Sequence, residues 1–302
     1  MPLWNNIDEL MDYYIPPMPS IYWLDIVRTC NLRCIMCPQS KGLAKRQAKM
    51  SMPLFQSIID QVCENRPLIK LYLSGEPLLH EDLFEMIEYA AAHQCKTMIH
   101  TNGTLLTEAL TEKLLSSSLS SISFSFDGCT AEIYEALRPP ASFEKVQANI
   151  RNYLAQRKRR RDPGPHTTVE IIRMQETHHL IENFVETWKA AGADAVHVAE
   201  YMTWLDSVED RSVEGLSDDE KYSPCEAPFH HGCILSDGTV VPCCMDVNGQ
   251  APLGNVTESH FLDIWAGNDF RRLRLQMLTG EIADDSICAR CRNTTFRPPA
   301  SR

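Results

Sequence analysis

Twelve cysteines stand in a chain of 302 residues, and nine of them fall into two groups. The first is Cys30-x3-Cys34-x2-Cys37; the second comprises Cys225, Cys233, Cys243, Cys244, Cys288 and Cys291. Disulfides are usual in small secreted domains, whereas clustered cysteines in a long chain point to metal ligation. Three thiolates converging in one loop leave a fourth position open. A [4Fe-4S] cluster usually takes four cysteines, so an iron lacking its protein ligand can be held by a substrate or cofactor instead. Zinc would need a fourth protein ligand or a water, and its usual ligand spacings fit the triplet less well. Cys63, Cys95 and Cys129 stand alone in apolar or turn contexts and read as ordinary thiols.

The elements that must position these groups follow from hydrophobic periodicity. Segments 21–27, 68–73, 96–100, 121–126, 168–173 and 195–199 read as strands. Segments 53–65, 82–94, 108–117, Phe143–Arg159 and 178–191 carry apolar residues at helical spacing. Thr107, Ser142 and Thr177 sit where N-caps belong, and Gly192 where a helix should stop. Six strands joined by crossover helices imply a parallel α/β sheet, open or curled into a partial barrel, with its chemistry at the strand C-termini. Beyond residue 200 the composition changes. Residues 202–222 are acidic and irregular, a linker or lid; Asp237-Gly238 is flanked by two short strands as in a hairpin; 261–279 is helical with a break near Gly267. The expected division is an N-terminal extension (1–20), a barrel (21–200), a linker (201–224) and a small domain with a tail (225–302).

Cys30-Asn31-Leu32-Arg33-Cys34-Ile35-Met36-Cys37-Pro38, placed after the first strand, resembles the signature of the radical S-adenosylmethionine (SAM) superfamily. The resemblance extends over about residues 21–292. It implies a partial (β/α)6 barrel in which Cys30, Cys34 and Cys37 ligate a [4Fe-4S] cluster. The open iron then binds SAM, and one electron cleaves it to methionine and a 5'-deoxyadenosyl radical. Met36 stands where many members have an aromatic residue, in apolar and backbone contact with adenine. Ser74-Gly75-Glu76-Pro77 looks like the family's glycine-glutamate motif, which makes Gly75, Glu76 and Pro77 candidates for SAM binding, with Glu76 receiving the methionyl ammonium. Thr101-Asn102-Gly103 follows the third strand, and Ser123, Ser125 and Asp127-Gly128 occupy the fourth and its end. By resemblance, Ser125 and Arg173 are candidates for the SAM ribose or carboxylate.

Cys225-x12-Gly238-x4-Cys243 followed by Cys288-x2-Cys291 resembles the SPASM/twitch extension of the same superfamily. The eleven residues after Cys291 hold no further cysteine, which points to the shorter twitch form, a β-hairpin plus helix around an auxiliary [4Fe-4S] cluster. Cys233 and Cys244 are left over. In a strand Cys244 would point away from Cys243, toward the active-site cavity. Radical SAM epimerases use such a cysteine as hydrogen donor, whereas twitch-type alcohol dehydrogenases, which resemble the chain in Leu253-Gly254-Asn255-Val256 and Asp263-Ile264-Trp265, need none there.

The composition, 44% hydrophobic and 23% charged with a net charge of -11, is that of a globular enzyme and argues against a general nucleic-acid or anionic-membrane surface. The one basic run, Arg157 to Arg161, reads as a solvated helix end. No apolar run reaches the ~18 residues of a membrane span, and Asp8, Glu9 and Asp12 replace a basic leader, so a cytoplasmic location is expected. His197, Glu200, Tyr201, Trp204, His230, His231 and Asp246 are candidates for a polar substrate, small and polyhydroxylated or a peptide. Epimerisation with Cys244 as donor is the expected outcome, dehydrogenation of an alcohol or amine the alternative, and a flavodoxin or ferredoxin the expected electron donor. A zinc-bound interaction protein is the remaining, non-enzymatic alternative.

Overall fold

The computed structural model describes residues 15–42, 48–162, 164–213 and 225–291. Six parallel strands carry the first part of the fold: β1 (Ile21–Leu24), β2 (Leu68–Lys70), β3 (Lys96–Thr101), β4 (Ser121–Ser125), β5 (His166–Arg173) and β6 (Ala195–Glu200). Between them run α1 (Met52–Val62), α2 (Leu83–Ala92), α3 (Glu108–Ser116), α4 (Ala131–Leu137), α5 (Phe143–Arg159) and α6 (Ile181–Ala191). Then come α7 (Ala227–His230), β7 (His231–Ile234), β8 (Thr239–Val241), β9 (Gly254–Asn255), α8 (Phe261–Ala266) and α9 (Asn268–Thr279). The sheet is open, in the order β6-β5-β4-β3-β2-β1-β7-β8-β9. It is a partial barrel.

Strand alternation divides its two faces. Tyr22, Leu24, Ile69, Ile99, Ile122, Phe124, Val169 and Ile171 are fully buried in one core with Phe55, Ile58, Met86, Ile150, Tyr153 and Phe184 of the helices. Each such side chain contributes about 1.5–3 kcal/mol of burial free energy. The alternate residues, among them Trp23, Lys70, Met98, His100, Ser125, Glu170 and His197, are less buried and line the concave face. Side-chain caps set the helix starts: Ser51 Oγ accepts from Leu54 N at 3.4 Å, Thr107 Oγ1 from Leu110 N at 3.1 Å, and Ser142 Oγ from Lys145 N at 3.5 Å.

One expectation needs correction, and two features go beyond the sequence reading. Thr177 takes the N-cap position of a short 3-10 turn (His178–Leu180) that precedes α6, but its buried hydroxyl makes no capping bond and donates instead to the Ile172 carbonyl. The seven-residue α4, capped by Thr130, escapes the periodicity reading because only Tyr134 and Leu137 are buried in it. The C-terminal hairpin extends the barrel sheet, β7 pairing in parallel with β1. Helix α8 packs on the outer, helix-covered side of the sheet beside α1: Phe261 packs edge-on against Tyr22 at 5.1 Å and its N–H donates to Gln61 Oε1 at 2.8 Å. Residues 1–14 of the extension, 214–224 of the linker and the tail from 292 lie outside the described residues. No helix among the described residues is long and apolar enough to cross a membrane.

Candidate active site

The loop after β1 brings Cys30, Cys34 and Cys37 together, all as free thiols. Leu32 and Met36 are buried in the main core and anchor the loop from below. Its backbone is tied down from outside, Arg33 N donating to Pro139 O at 2.7 Å and Ile35 N to Leu137 O at 3.0 Å. Donors also reach the sulfurs: Leu32 N lies 3.5 Å and Asn102 Nδ2 3.9 Å from Cys30 Sγ, and Arg138 Nη1 lies 3.7 Å from Cys34 Sγ. Burial pushes the Cys30 thiol up to about 11 and raises Cys34 and Cys37, with Arg138 opposing the rise at both. Ligation by a cation offsets such a penalty, since thiolate is the binding form.

Gly75 lies flat against this loop. A Cβ there would fall 2.2 Å from the Val27 carbonyl oxygen and 2.7 Å from that of Thr29, and Glu76 N donates to Thr29 O at 2.9 Å. Glu76 is 2% exposed. Its Oε1 accepts from Leu78 N at 3.1 Å and Thr101 Oγ1 at 2.7 Å, and its Oε2 from Asn102 N at 2.8 Å. A carboxylate offers about four acceptor sites, so one remains beside this strut joining the ends of β2 and β3. Pro77 starts the 3-10 turn that closes the motif. Asn102 continues the tie, its Nδ2 donating to Asn31 Oδ1 at 3.0 Å inside the cysteine motif.

On the concave face a polar chain descends from the strand ends. Ser125 Oγ bonds His100 Nε2 at 2.5 Å, His100 Nε2 lies 3.3 Å from Glu170 Oε1, and His197 Nδ1 lies 2.7 Å from Glu170 Oε2. Burial works to raise Glu170, but His100 and His197 outweigh it and hold the carboxyl below the usual range. Burial lowers His100 despite Glu170. Tyr72 stacks edge-on with His100 and Trp23, and Lys70 Nζ sits 4.0 Å over the Trp23 ring. Lys70, Tyr72, His100 and Glu170 were not among the residues expected from sequence. Their one signal is polar side chains recurring at alternate positions of otherwise apolar strands.

Other expectations fall elsewhere. Arg173 shares the alternation of Val169 and Ile171, not of Glu170, and its Nε pairs with Glu200 Oε1 at 3.1 Å on the next strand, so neither joins the concave row. Asp246 is buried as a turn anchor, accepting from Gln250 N at 2.7 Å and Ala251 N at 2.9 Å. Tyr201 donates to the Glu209 carbonyl, Trp204 packs between two apolar clusters, and His230 is exposed. His231 is on the Trp23 face of β7, where burial and Lys70 lower its pKa.

The second cysteine group divides. Cys225, Cys243, Cys288 and Cys291 line one pocket with apolar neighbours that include Leu205, Met245 and Ile287. Gly238, at φ +88°, makes the hairpin turn, and the turn Ile287–Arg290 brings Cys288 and Cys291 to the pocket. Four thiols share this pocket, as three share the loop after β1. In number and type, the three thiols fit a [4Fe-4S] cluster with one open iron and the four thiols fit a fully ligated one. Cys244 faces the other way, packed with Cys233, Leu235, Val241, Trp23 and Leu73. The separation comes from a turn, with Asp246 N donating to Cys243 O at 3.2 Å after Pro242 has ended β8, rather than from strand alternation. Burial pushes the Cys244 thiol up to about 11, with Lys70 opposing.

The profile of the radical SAM superfamily matches residues 24–187, more than half of the chain, and that of the SPASM iron-sulfur cluster-binding domain matches residues 225–292. The AdoMet-dependent heme synthase of Methanosarcina barkeri is 26% identical over 331 aligned positions, 92% of each chain. The S-adenosyl-L-methionine-dependent 2-deoxy-scyllo-inosamine dehydrogenase of Niallia circulans is 23% identical over 283 positions, 92% of this chain and 94% of that one. Among solved structures, Streptococcus suis SuiB bound to precursor peptide SuiA superposes with a TM-score of 0.70 at 16% identity, covering 88% of this chain and 69% of SuiB. Fold, thiol sets and family profiles agree that the chain belongs to the radical SAM superfamily, using SAM and [4Fe-4S] clusters and carrying a SPASM/twitch-type C-terminal domain.

Proposed function

We propose that the protein inverts one stereocentre of a small polyhydroxylated substrate, sugar- or aminoglycoside-like, with Cys244 as hydrogen donor. When bound, SAM and its cluster supply a 5'-deoxyadenosyl radical that takes hydrogen from an unactivated carbon. Cys30, Cys34 and Cys37 would hold that cluster, Cys225, Cys243, Cys288 and Cys291 the auxiliary one, and Gly75, Glu76 and Pro77 would shape the SAM site. Ser125, fixed to His100, is positioned to reach SAM or substrate from the end of β4. His100, Glu170 and His197 offer paired donors and an anionic acceptor to hydroxyl or amino groups. The observation that carries the reading is the opposed placement of adjacent cysteines: Cys243 lines the four-thiol pocket while Cys244 packs on the Trp23 side of the sheet.

Cys244 holds its hydrogen at Sγ and gives it to the substrate carbon from the face opposite the abstraction. The substrate C–H broken at the start is replaced by a C–H from sulfur, leaving a Cys244 thiyl. One electron from a reduced flavodoxin- or ferredoxin-type donor and one proton restore the thiol. Trp23, Leu73 and Leu235 pack around Cys244, which stays partly exposed, so its thiol hydrogen can exchange with solvent between turnovers. The test is Cys244→Ala, screened against polyhydroxylated amines and peptides. It should still form 5'-deoxyadenosine and yet yield no inverted product; full epimerisation by the variant would reject the proposal.

A second reading, dehydrogenation of an alcohol or amine, is favoured by the full-length likeness to the Niallia circulans dehydrogenase and by a four-thiol set able to hold an electron-accepting cluster. It predicts a product two hydrogens lighter, formed equally well by Cys244→Ala.

A further inference from the structure

The Asp127-Gly128 pair at the end of β4 has a buried partner that the proposed chemistry leaves unused. Arg138, just beyond α4 and 8% exposed, donates to Asp127 Oδ2 from Nε at 2.8 Å and from Nη2 at 2.5 Å. Its remaining terminal nitrogen, Nη1, lies 3.7 Å from Cys34 Sγ. Asp127 is itself fully buried, and its second oxygen accepts from Ile172 N at 2.6 Å. Fork, carboxylate and β5 backbone thus form one rigid support. The residues on either side of Arg138 reinforce it, because the Leu137 and Pro139 carbonyls take the Ile35 and Arg33 amides that flank Cys34.

A buried ion pair carries a large desolvation cost, and an apolar pair of similar volume would fill such space at least as stably. An ion pair whose guanidinium also turns one nitrogen onto a thiol sulfur points to a task at that sulfur. A cluster gains negative charge on reduction, and that charge is shared by its thiolates. Hydrogen bonds to the sulfurs and a nearby buried cation stabilise the reduced state more than the oxidised one. Lysine cannot replace this arrangement, since only the planar fork can bind a carboxylate with two nitrogens and keep a third for sulfur.

We propose that Arg138 is a positioning residue that fixes Cys34 and raises the reduction potential of the SAM-binding cluster, with Asp127 as its anchor. The inference rests on Cys34 being a ligand of that cluster and is independent of whether the reaction is epimerisation or dehydrogenation. The test is a potentiometric titration of the anaerobically reconstituted full chain, followed by electron paramagnetic resonance on the signal that added SAM perturbs. In Arg138→Gln, iron content should match the parent protein, while the reduced-to-oxidised ratio at a fixed potential should fall about tenfold, a downward shift of about 59 mV for a one-electron couple. Arg138→Lys should fall between the two. An unchanged midpoint in Arg138→Gln, accompanied only by a lower melting temperature, would overturn the proposal. If that variant does not retain its cluster, Arg138→Lys decides on the same scale, a lowered midpoint supporting the inference and an unchanged one rejecting it. Cys34→Ala is the control for the ligand assignment: it should abolish the SAM-perturbed signal, and persistence of that signal would remove the premise.

Discussion

The two cysteine regions are built in opposite ways. Cys30, Cys34 and Cys37 come from one continuous loop, and polar or charged groups reach it, among them Asn102 and Arg138. Cys225, Cys243, Cys288 and Cys291 come from three separated segments, and the walls between them are Leu205, Pro228, Met245 and similar apolar side chains. A compact triplet leaves one metal coordination position for another ligand, and its polar surroundings can steer charge. A closed foursome in an apolar setting has no such vacancy and suits electron storage or structure. Neighbouring residues part at the edge of the second region, because Cys243 lines the four-thiol pocket while Cys244 packs with Trp23 and Leu73 beside Lys70.

The sharpest break in the comparison is removal of the triplet. Replacing Cys30, Cys34 and Cys37 together by Ala should lower iron from about eight per chain to about four and abolish SAM cleavage, measured by iron assay and 5'-deoxyadenosine formation. The converse is Cys243→Ala, which should lose iron from the other site and leave the SAM-perturbed signal in place. Parallel loss of both clusters would show that the regions are not independent. A smaller effect is expected at Gly75. Gly75→Ala drives a methyl group into the Val27 and Thr29 carbonyls and should destabilise by about 1–3 kcal/mol, seen as a lower melting temperature together with weaker SAM binding. Glu76→Gln keeps the shape of the strut but removes a charge-assisted partner; SAM affinity should fall about tenfold in calorimetry, and unchanged affinity would leave Glu76 with its structural ties alone. The mildest change is His197→Ala on the partly exposed side of Glu170. It should raise the substrate KM about fivefold and leave the basal cleavage of SAM intact.

Much of this arrangement was legible in the sequence because short-range spacing encodes it. Cys30-x3-Cys34-x2-Cys37, the Asp237-Gly238 turn, the Gly192 stop and the strand periodicity all act within a few residues. Groups brought together across the sheet were not legible. Glu170, His100 and His197 meet because β3, β4, β5 and β6 register side by side, and Arg138 reaches Cys34 across 104 positions of sequence. Arg173 illustrates the converse. Its strand and its approximate position were apparent, but a shift of one residue in alternation decides the face, and the pairing with Glu200 fixes it opposite to Glu170. Cys244 packs beside Trp23 and Leu73 through a turn after Pro242 and not through the strand alternation that the sequence implied.

A hydrogen returned to the substrate by Cys244 is a thiol hydrogen, which exchanges with solvent. The direct measurement is product mass spectrometry after turnover in heavy water. The account predicts one deuterium at the inverted carbon, a product otherwise equal in mass to the substrate, and no such product from Cys244→Ala. A product two hydrogens lighter, with no deuterium at that carbon and equal yield from Cys244→Ala, would contradict it.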